Sequence, residues 1–273
     1  YRAVELRNSS GWAYKADISA FFDTVDRDLL KQAVTKKIRA ASIRKLVSSF
    51  IDTEVKVRNS SEKNKLNKNG IKEGIGLRQG MPISPYLANL FLTDFDKLIT
   101  KKKIQMVRYA DDLIAFAKSS TQCESIHDLC KGKLRSLGLE IHDIGPGSKT
   151  EIKEPHEMVE FLGVGLEVTP KRQYQLIVPD SKKAIIKNEL HKYKDISFCA
   201  KHDLNISTLQ SLMLNKIDGY LEAYRHCVNA QALGNFLADT YQCVMHSILL
   251  DEYKIDLNSL SKNQINFLRL TIK

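Results

Sequence analysis

From Ile104 to Ala117 the chain reads as two short, branched, apolar runs broken by the adjacent carboxylates Asp111 and Asp112. Segments of this length on either side of a polar pair predict two strands joined by a tight turn. Both acids then sit at the tip and face the same patch of solvent. Neighbouring carboxylates repel unless a cation neutralises them, and hard oxygen ligands beside a phosphate-bearing substrate favour magnesium. An ordinary Asp-Asp turn is the competing reading of Tyr109–Asp112 taken alone.

Two further segments bear on that choice. Trp12-Ala13-Tyr14-Lys15-Ala16-Asp17 is strand-like, mostly apolar, and ends on an acid. A carboxylate in such a place is rarely buried without a partner. Gly76-Leu77-Arg78-Gln79-Gly80-Met81-Pro82-Ile83-Ser84-Pro85 is a glycine-bounded loop running into a helix, with Ser84 expected as N-cap and Pro85 at the first helical position. Such a loop presents backbone donors to a phosphate or a nucleic-acid strand.

Composition sets the class of partner. Lys and Arg number 42 against 32 Asp and Glu, and a net charge of +10 points to a polyanion, nucleic acid first. The 273 residues are 43% hydrophobic, enough for a core in one large domain or two modest ones. No apolar stretch approaches a membrane span and no signal peptide opens the sequence. The five cysteines include no C-x-x-C pair and suit a reducing compartment, so a soluble cytoplasmic protein without membrane association is expected. Cys123, His127 and Cys130 share a helix face with Ile126, Leu129, Leu134 and Leu137, which favours core packing over zinc.

Along the chain, Asp26 is expected to cap a helix with Leu30, Val34 and Ile38 at helical spacing, and a second helical piece spans Ile43 to Phe50. Residues 54–76 alternate charged and apolar around Asn67-Lys68-Asn69-Gly70, which predicts a hairpin with a basic tip. A helix from Ser84 to about Lys101, the acidic hairpin, a helix over 121–136, a strand near 139–142 and a strand pair across 150–168 follow. Strand, helix, strand, strand, helix, strand is the ferredoxin-like order. It gives an α+β fold, an antiparallel sheet with helices on one face and the acids on its two central strands. From about Pro179 the pattern is helical and basic, with Lys182, Lys183 and Lys187 among Ile185, Ile186 and Leu190. The expected domains are 1–168 and a helical 169–273.

Asp17, the loop Gln79-Gly80-x-Pro82-x-Ser84-Pro85 and Asp111-Asp112, in this order, resemble motifs A, B and C of reverse transcriptases, specifically the bacterial branch of group II intron, retron and phage-defence enzymes. Leu137-Gly138-Leu139 with Lys149-Thr150 is similar to motif D, and Phe161-Leu162-Gly163 to motif E. The resemblance covers residues 12 to about 165. It implies a right-hand polymerase palm over 1–168, with part of the fingers in 27–76. Gly219-Tyr220-Leu221-Glu222-Ala223-Tyr224-Arg225 is similar to a thumb helix, which makes 169–273 a thumb gripping template-primer duplex through phosphates. In the family a fingers region precedes motif A, so that segment is expected to be missing upstream of Tyr1.

The resemblance implies an RNA-directed DNA polymerase that extends a 3′ hydroxyl with deoxynucleoside triphosphates. Two divalent ions about 4 Å apart serve that reaction, Mg2+ with Mn2+ as the alternative. Asp17 and Asp111 are the expected bridging ligands, the Ile18 carbonyl an extra one, and Asp112 a weaker participant. Lys149 is a general acid toward pyrophosphate or a plain loop lysine. Tyr109 lies beside the primer terminus or packs as a strand residue. Phe22, beneath the incoming sugar, clashes with a 2′ hydroxyl and selects deoxynucleotides, with Phe21 as the neighbouring candidate. Gln79 and Gly80 line the nascent base pair, and Arg78, Lys182, Lys183 and Lys187 contact nucleic acid. The partners implied are an RNA template or structured noncoding RNA and the DNA product; nothing in the pattern sets an oligomeric state. Met81 stands where group II intron enzymes carry a second glycine, and Met81 and Ile83 where retron enzymes carry Ala and Thr, which leaves phage-defence and CRISPR-associated branches ahead. Template-independent or protein- or RNA-primed synthesis, and a non-catalytic RNA-binding scaffold, are the competing functions.

Overall fold

The computed structural model describes residues 1–55, 58–68, 73–256 and 259–267. Its chain divides into two compact units, Tyr1–Phe161 and Leu162–Lys273, against an expected border at 168. The left-handed turn at Leu162 and Gly163, φ 52 and 78, marks the border, and the strand that follows pairs forward with its successor.

The first unit opens with α1 (Arg2–Ser10), a helix the sequence pattern did not announce, stopped at Gly11 with φ 86. Strand β1 (Trp12–Asp17) follows, then α2 (Phe21–Thr24), α3 (Arg27–Lys37), α4 (Ala41–Ile51), α5 (Ser60–Lys68), α6 (Ser84–Phe91) and α7 (Thr93–Lys101). The hairpin strands β2 (Gln105–Tyr109) and β3 (Asp112–Ala117) lead into α8 (Ser120–Arg135), β4 (Glu151–Lys153) and β5 (Val159–Phe161). The sheet order is β2-β3-β1-β4 with every pair antiparallel, the ferredoxin-like arrangement. β1 and β3 are its central strands.

Strand alternation gives the sheet two different faces. Tyr14 and Ala16 of β1 and Leu113 and Ala115 of β3 bury against Cys123, Ile126, Cys130 and Leu134 of α8. Burying Leu113, Ile126 and Leu134 contributes about 1.5–3 kcal/mol each. The Tyr14 hydroxyl meets His127 Nδ1 at 3.2 Å, so the cysteine–histidine face of α8 is core. Lys15 and Asp17 lie on the other face. Arg7, fully buried, donates to the carbonyls of Gly11, Glu154 and Glu157 at 3.2, 3.0 and 2.6 Å and ties α1 to the segment after β4.

Four local expectations change. Residues 60–68 form α5 rather than a hairpin arm, because Asn59 Oδ1 accepts the Glu62 amide at 2.9 Å and Glu62 accepts the Arg58 amide at 2.8 Å. That capping pair favours a helix whatever the alternation; Asn69 and Gly70 lie outside the described residues. Ser84 is inside α6 and is not its N-cap; its hydroxyl donates to the Arg78 carbonyl at 2.7 Å and closes the preceding loop. The helix expected to run to Lys101 breaks at Leu92, where Thr93 Oγ1 bonds back to the Asn89 carbonyl at 3.1 Å and competes with the helical ladder. Near 139–142 only a single bridge forms, Ile18 to Ile141, and of the strands across 150–168 it is β4 that joins the four-stranded sheet, beside β1.

In the second unit β6 (Val164–Val168) and β7 (Tyr174–Ile177) pair as a hairpin. Helices α9 (Asp180–His191), α10 (Ile196–Lys201), α11 (Ile206–Tyr224), α12 (Ala230–Ser247) and α13 (Lys262–Phe267) then follow. Their core includes Ile186, Leu190, Met213, Leu233, Leu237 and Val244. A reciprocal Asn205–Thr208 capping box starts α11. Among the described residues no helix is long and apolar enough to cross a membrane.

Candidate active site

The strand register sets the site. Asp17, last in β1, lies directly opposite Asp112, first in β3. Residues facing across an antiparallel pair project from the same side with Cβ atoms about 5 Å apart. Asp111 reaches the same end of the sheet through the two-residue turn Ala110-Asp111. Its carbonyl accepts the Ile18 amide at 3.1 Å, joining the turn to the residue after Asp17.

Ala110 holds φ 52, a left-handed conformation that costs a non-glycine residue on the order of 1 kcal/mol. Arg108 supports it. Its Nη1 donates to the Ala110 carbonyl at 2.9 Å and to Asn89 Oδ1 at 3.1 Å, while Nε and Nη2 fork onto the Asp96 carboxylate. A bidentate guanidinium of this kind fixes orientation as well as distance. The acid-bearing turn is thereby braced against α6 and α7.

Charge is concentrated here. Burial pushes the Asp112 carboxyl up, and the charges of Asp111 and Asp17 push it further, against opposition from Lys15 and Lys149. Lys149 Nζ donates to Asp17 Oδ2 at 2.9 Å. That bond and the Asp17 charge raise the lysine's pKa, with Asp111 and Asp112 adding to the effect. Lys149 pairs with Asp17, Lys15 and Lys149 together offset part of the charge at Asp112, and an added cation would relieve the remaining repulsion among the three carboxylates. Their all-oxygen chemistry fits a hard divalent ion. Among the described residues no group of three or more His, Cys, Asp or Glu side chains is drawn together closely enough to hold a metal ion, and it is Lys149 that engages Asp17.

The remaining candidates fall into distinct places. Phe21 is buried in the core, whereas Phe22 is half-buried, packs partly against the same core and has its ring edge-on to Phe21 at 5.3 Å. Gln79 and Gly80 are exposed in the loop before α6, Gly80 with φ 82 and open space where a side chain would stand. Tyr109 is 65% exposed at the end of β2. Arg78, expected at a nucleic-acid surface, turns its guanidinium inward, pairing with Glu54 and donating from Nε to the Thr53 carbonyl at 3.3 Å. Lys182, Lys183 and Lys187 are on α9 of the second unit, where Lys183 pairs with Asp180 at 2.9 Å and Lys187 is exposed. Sequence reasoning passed over Arg108, Asp96 and Glu54. Arg108 had the one available signal, a cation directly after the apolar pair Met106-Val107 in a strand.

An antiparallel sheet in this order, with carboxylates at the adjoining ends of its central strands, defines a polymerase palm. The family model "Reverse transcriptase (RNA-dependent DNA polymerase)" matches residues 2–166, and the chain belongs to that family. Protein YkfC of Escherichia coli (strain K12) is 27% identical over 201 residues, covering 59% of this chain and 48% of that protein. The Putative COX1/OXI3 intron 2 protein of Saccharomyces cerevisiae is 24% identical over 226 residues, 61% of this chain and 25% of that protein. The chain therefore spans about half or less of these relatives' length. Among solved structures, apo telomerase from Candida tropicalis aligns with 98% of this chain and 55% of its own at 12% identity and TM-score 0.47. Telomerase from Candida albicans with a telomeric RNA fragment aligns with 100% and 52% at 14% identity and TM-score 0.41.

Proposed function

We propose that this chain carries the catalytic site of an RNA-directed DNA polymerase that extends a 3′ hydroxyl with deoxynucleoside triphosphates. The observation that carries this reading is the register that sets Asp17 against Asp112 with Asp111 at the adjoining turn.

Asp17 and Asp111 would hold two divalent ions, magnesium or manganese, with Asp112 and the Ile18 carbonyl as further ligands. When bound, such ions activate the primer hydroxyl and stabilise the leaving pyrophosphate. Lys149, kept protonated by its bond to Asp17, would donate its Nζ–H to a pyrophosphate oxygen as a general acid. Phe22 meets the sugar edge of the incoming nucleotide and excludes a 2′ hydroxyl. Gln79 and Gly80 line the base pair, Gly80 offering backbone where a side chain would intrude. Tyr109 stands at the primer end, and Lys182, Lys183 and Lys187 meet duplex phosphates. An RNA, as template or structured scaffold, fits the net charge of +10. A bacterial phage-defence setting rests on Met81 and Ile83 in the loop before α6.

Primer extension on an RNA template with magnesium tests the assignment. Asp111→Ala is expected to lower incorporation about a thousandfold, the rate equivalent of about 4 kcal/mol. Synthesis at the unaltered rate in that variant overturns the polymerase reading. Sequencing the product made from all four deoxynucleotides separates templated copying from template-independent addition, because a random or homopolymeric product rejects copying.

A further inference from the structure

Glu54, three residues beyond the end of α4, sits at the centre of a hydrogen-bonded cluster. Its Oε1 accepts the Gly74 amide at 2.9 Å and pairs with Arg27 Nη1 at 2.5 Å, and its other oxygen pairs with Arg78. Arg27 is 6% exposed and also donates from Nε to the Gly76 carbonyl at 2.9 Å. Arg78 is held at its own carbonyl by Ser84. The carboxylate thus holds the segment directly at Gly74 and Arg78 and, through Arg27, at Gly76.

That segment leans on the residue proposed to read the sugar. The Leu77 amide donates to the Phe22 carbonyl at 2.6 Å and the Gly76 amide to the Val25 carbonyl at 2.9 Å. Gly76 holds φ 79 against the chain at Phe22 and Asp23, where an added Cβ would stand 2.7 Å from the Phe22 oxygen. The backbone of Phe22 and the loop carrying Gln79 and Gly80 are therefore one assembly. Burial pushes the Glu54 carboxyl up, but the Gly74 amide and the Arg27 and Arg78 guanidiniums hold it down to about 2, so it stays charged throughout the working range.

We propose that Glu54 is a positioning residue for nucleotide selection, clamping the Gly74–Arg78 segment so that Phe22 is held at the height that rejects a 2′ hydroxyl. The inference rests on the sugar-reading role given to Phe22 above. Its effect is on discrimination rather than on the carboxylate chemistry, since none of the three acids bonds to this cluster in the contacts described.

The test compares wild type, Phe22→Ala, Glu54→Ala and Glu54→Gln for incorporation of deoxy- against ribonucleotides, together with amide hydrogen exchange at Gly74, Gly76 and Leu77. Glu54→Ala is expected to cut deoxy-over-ribo discrimination about tenfold, mainly through KM, and to speed exchange at those amides. Glu54→Gln, which keeps an acceptor for Gly74 and is the variant to read if the alanine one does not fold, is expected to fall between. Discrimination at the wild-type level in a folded Glu54 variant overturns the inference, as does unchanged amide exchange. A wild type that incorporates no nucleotide overturns the polymerase reading instead, and the exchange data still decide whether Glu54 holds the loop.

Discussion

Asp112 lies half-buried with Asp17 across the strand pair and Asp111 beside it, where burial and both neighbouring charges oppose its ionisation. Its raised carboxyl fixes the sign of a pH effect. The folded chain binds the proton more tightly than the unfolded one, so stability falls as pH rises from the ordinary carboxylate range through the folded value, and the cost is complete above it. Asp112→Asn is therefore expected to raise the metal-free melting temperature at pH 7–8, with the gain vanishing as pH drops below about 4. Divalent cations should raise the melting temperature of the wild type more than that of the variant. A calorimetric pH series with and without magnesium checks both signs. These acids were legible in the sequence because each interrupts an apolar run, where a carboxylate is costly without a task. The contact between Asp17 and Lys149 was not, since it joins residues far apart in the chain through a loop without regular structure.

The elements that hold the acids are a short hairpin and its brace. Arg108 links the Ala110 turn to Asn89 and Asp96, two helices away in sequence but adjacent in the fold. Hydrogen bonds to charged groups are each worth about 1.5–3 kcal/mol when broken on one side. Arg108→Ala is expected to destabilise the first unit by about 2 kcal/mol and to lower incorporation at saturating nucleotide, because the turn no longer presents Asp111 at a fixed height. Denaturation midpoints and single-turnover rates measure the two effects. The hairpin itself was readable from its branched residues and polar interruption, and α3 from Asp26, whose carboxylate accepts the Asp28 and Leu29 amides at 2.8 and 2.9 Å. The α5 helix was misread because charged and apolar residues alternate there, and the Asn59–Glu62 cap outweighs that alternation. Glu54 escaped notice for another reason: its partners are supplied by α3 and by the loop before α6, and no local pattern announces a side chain that works at such range.

At the scale of the molecule, two units with separate cores carry an excess of ten positive charges. Affinity for RNA gained from phosphate contacts falls steeply with salt as counterions are released, losing about tenfold or more between 50 and 200 mM for a handful of contacts. Filter binding of the chain to a structured RNA across that range is expected to show this slope, and salt-independent binding would mean that the basic surface is not the contact. The order of the sheet was recoverable from the succession of elements alone, because few topologies satisfy strand, helix, strand, strand, helix, strand. The border between the units was harder to place, since it falls at a two-residue turn within a run of short strands. The two faces of β1 carry one more consequence. Tyr14 and Ala16 anchor the strand in the core while Asp17 points the other way, so inserting or deleting one residue would exchange the roles of the two faces, burying the acid and exposing the core ring. The strand behaves as a one-step ratchet, and changes of chain length that preserve the chemistry belong in the connections between elements.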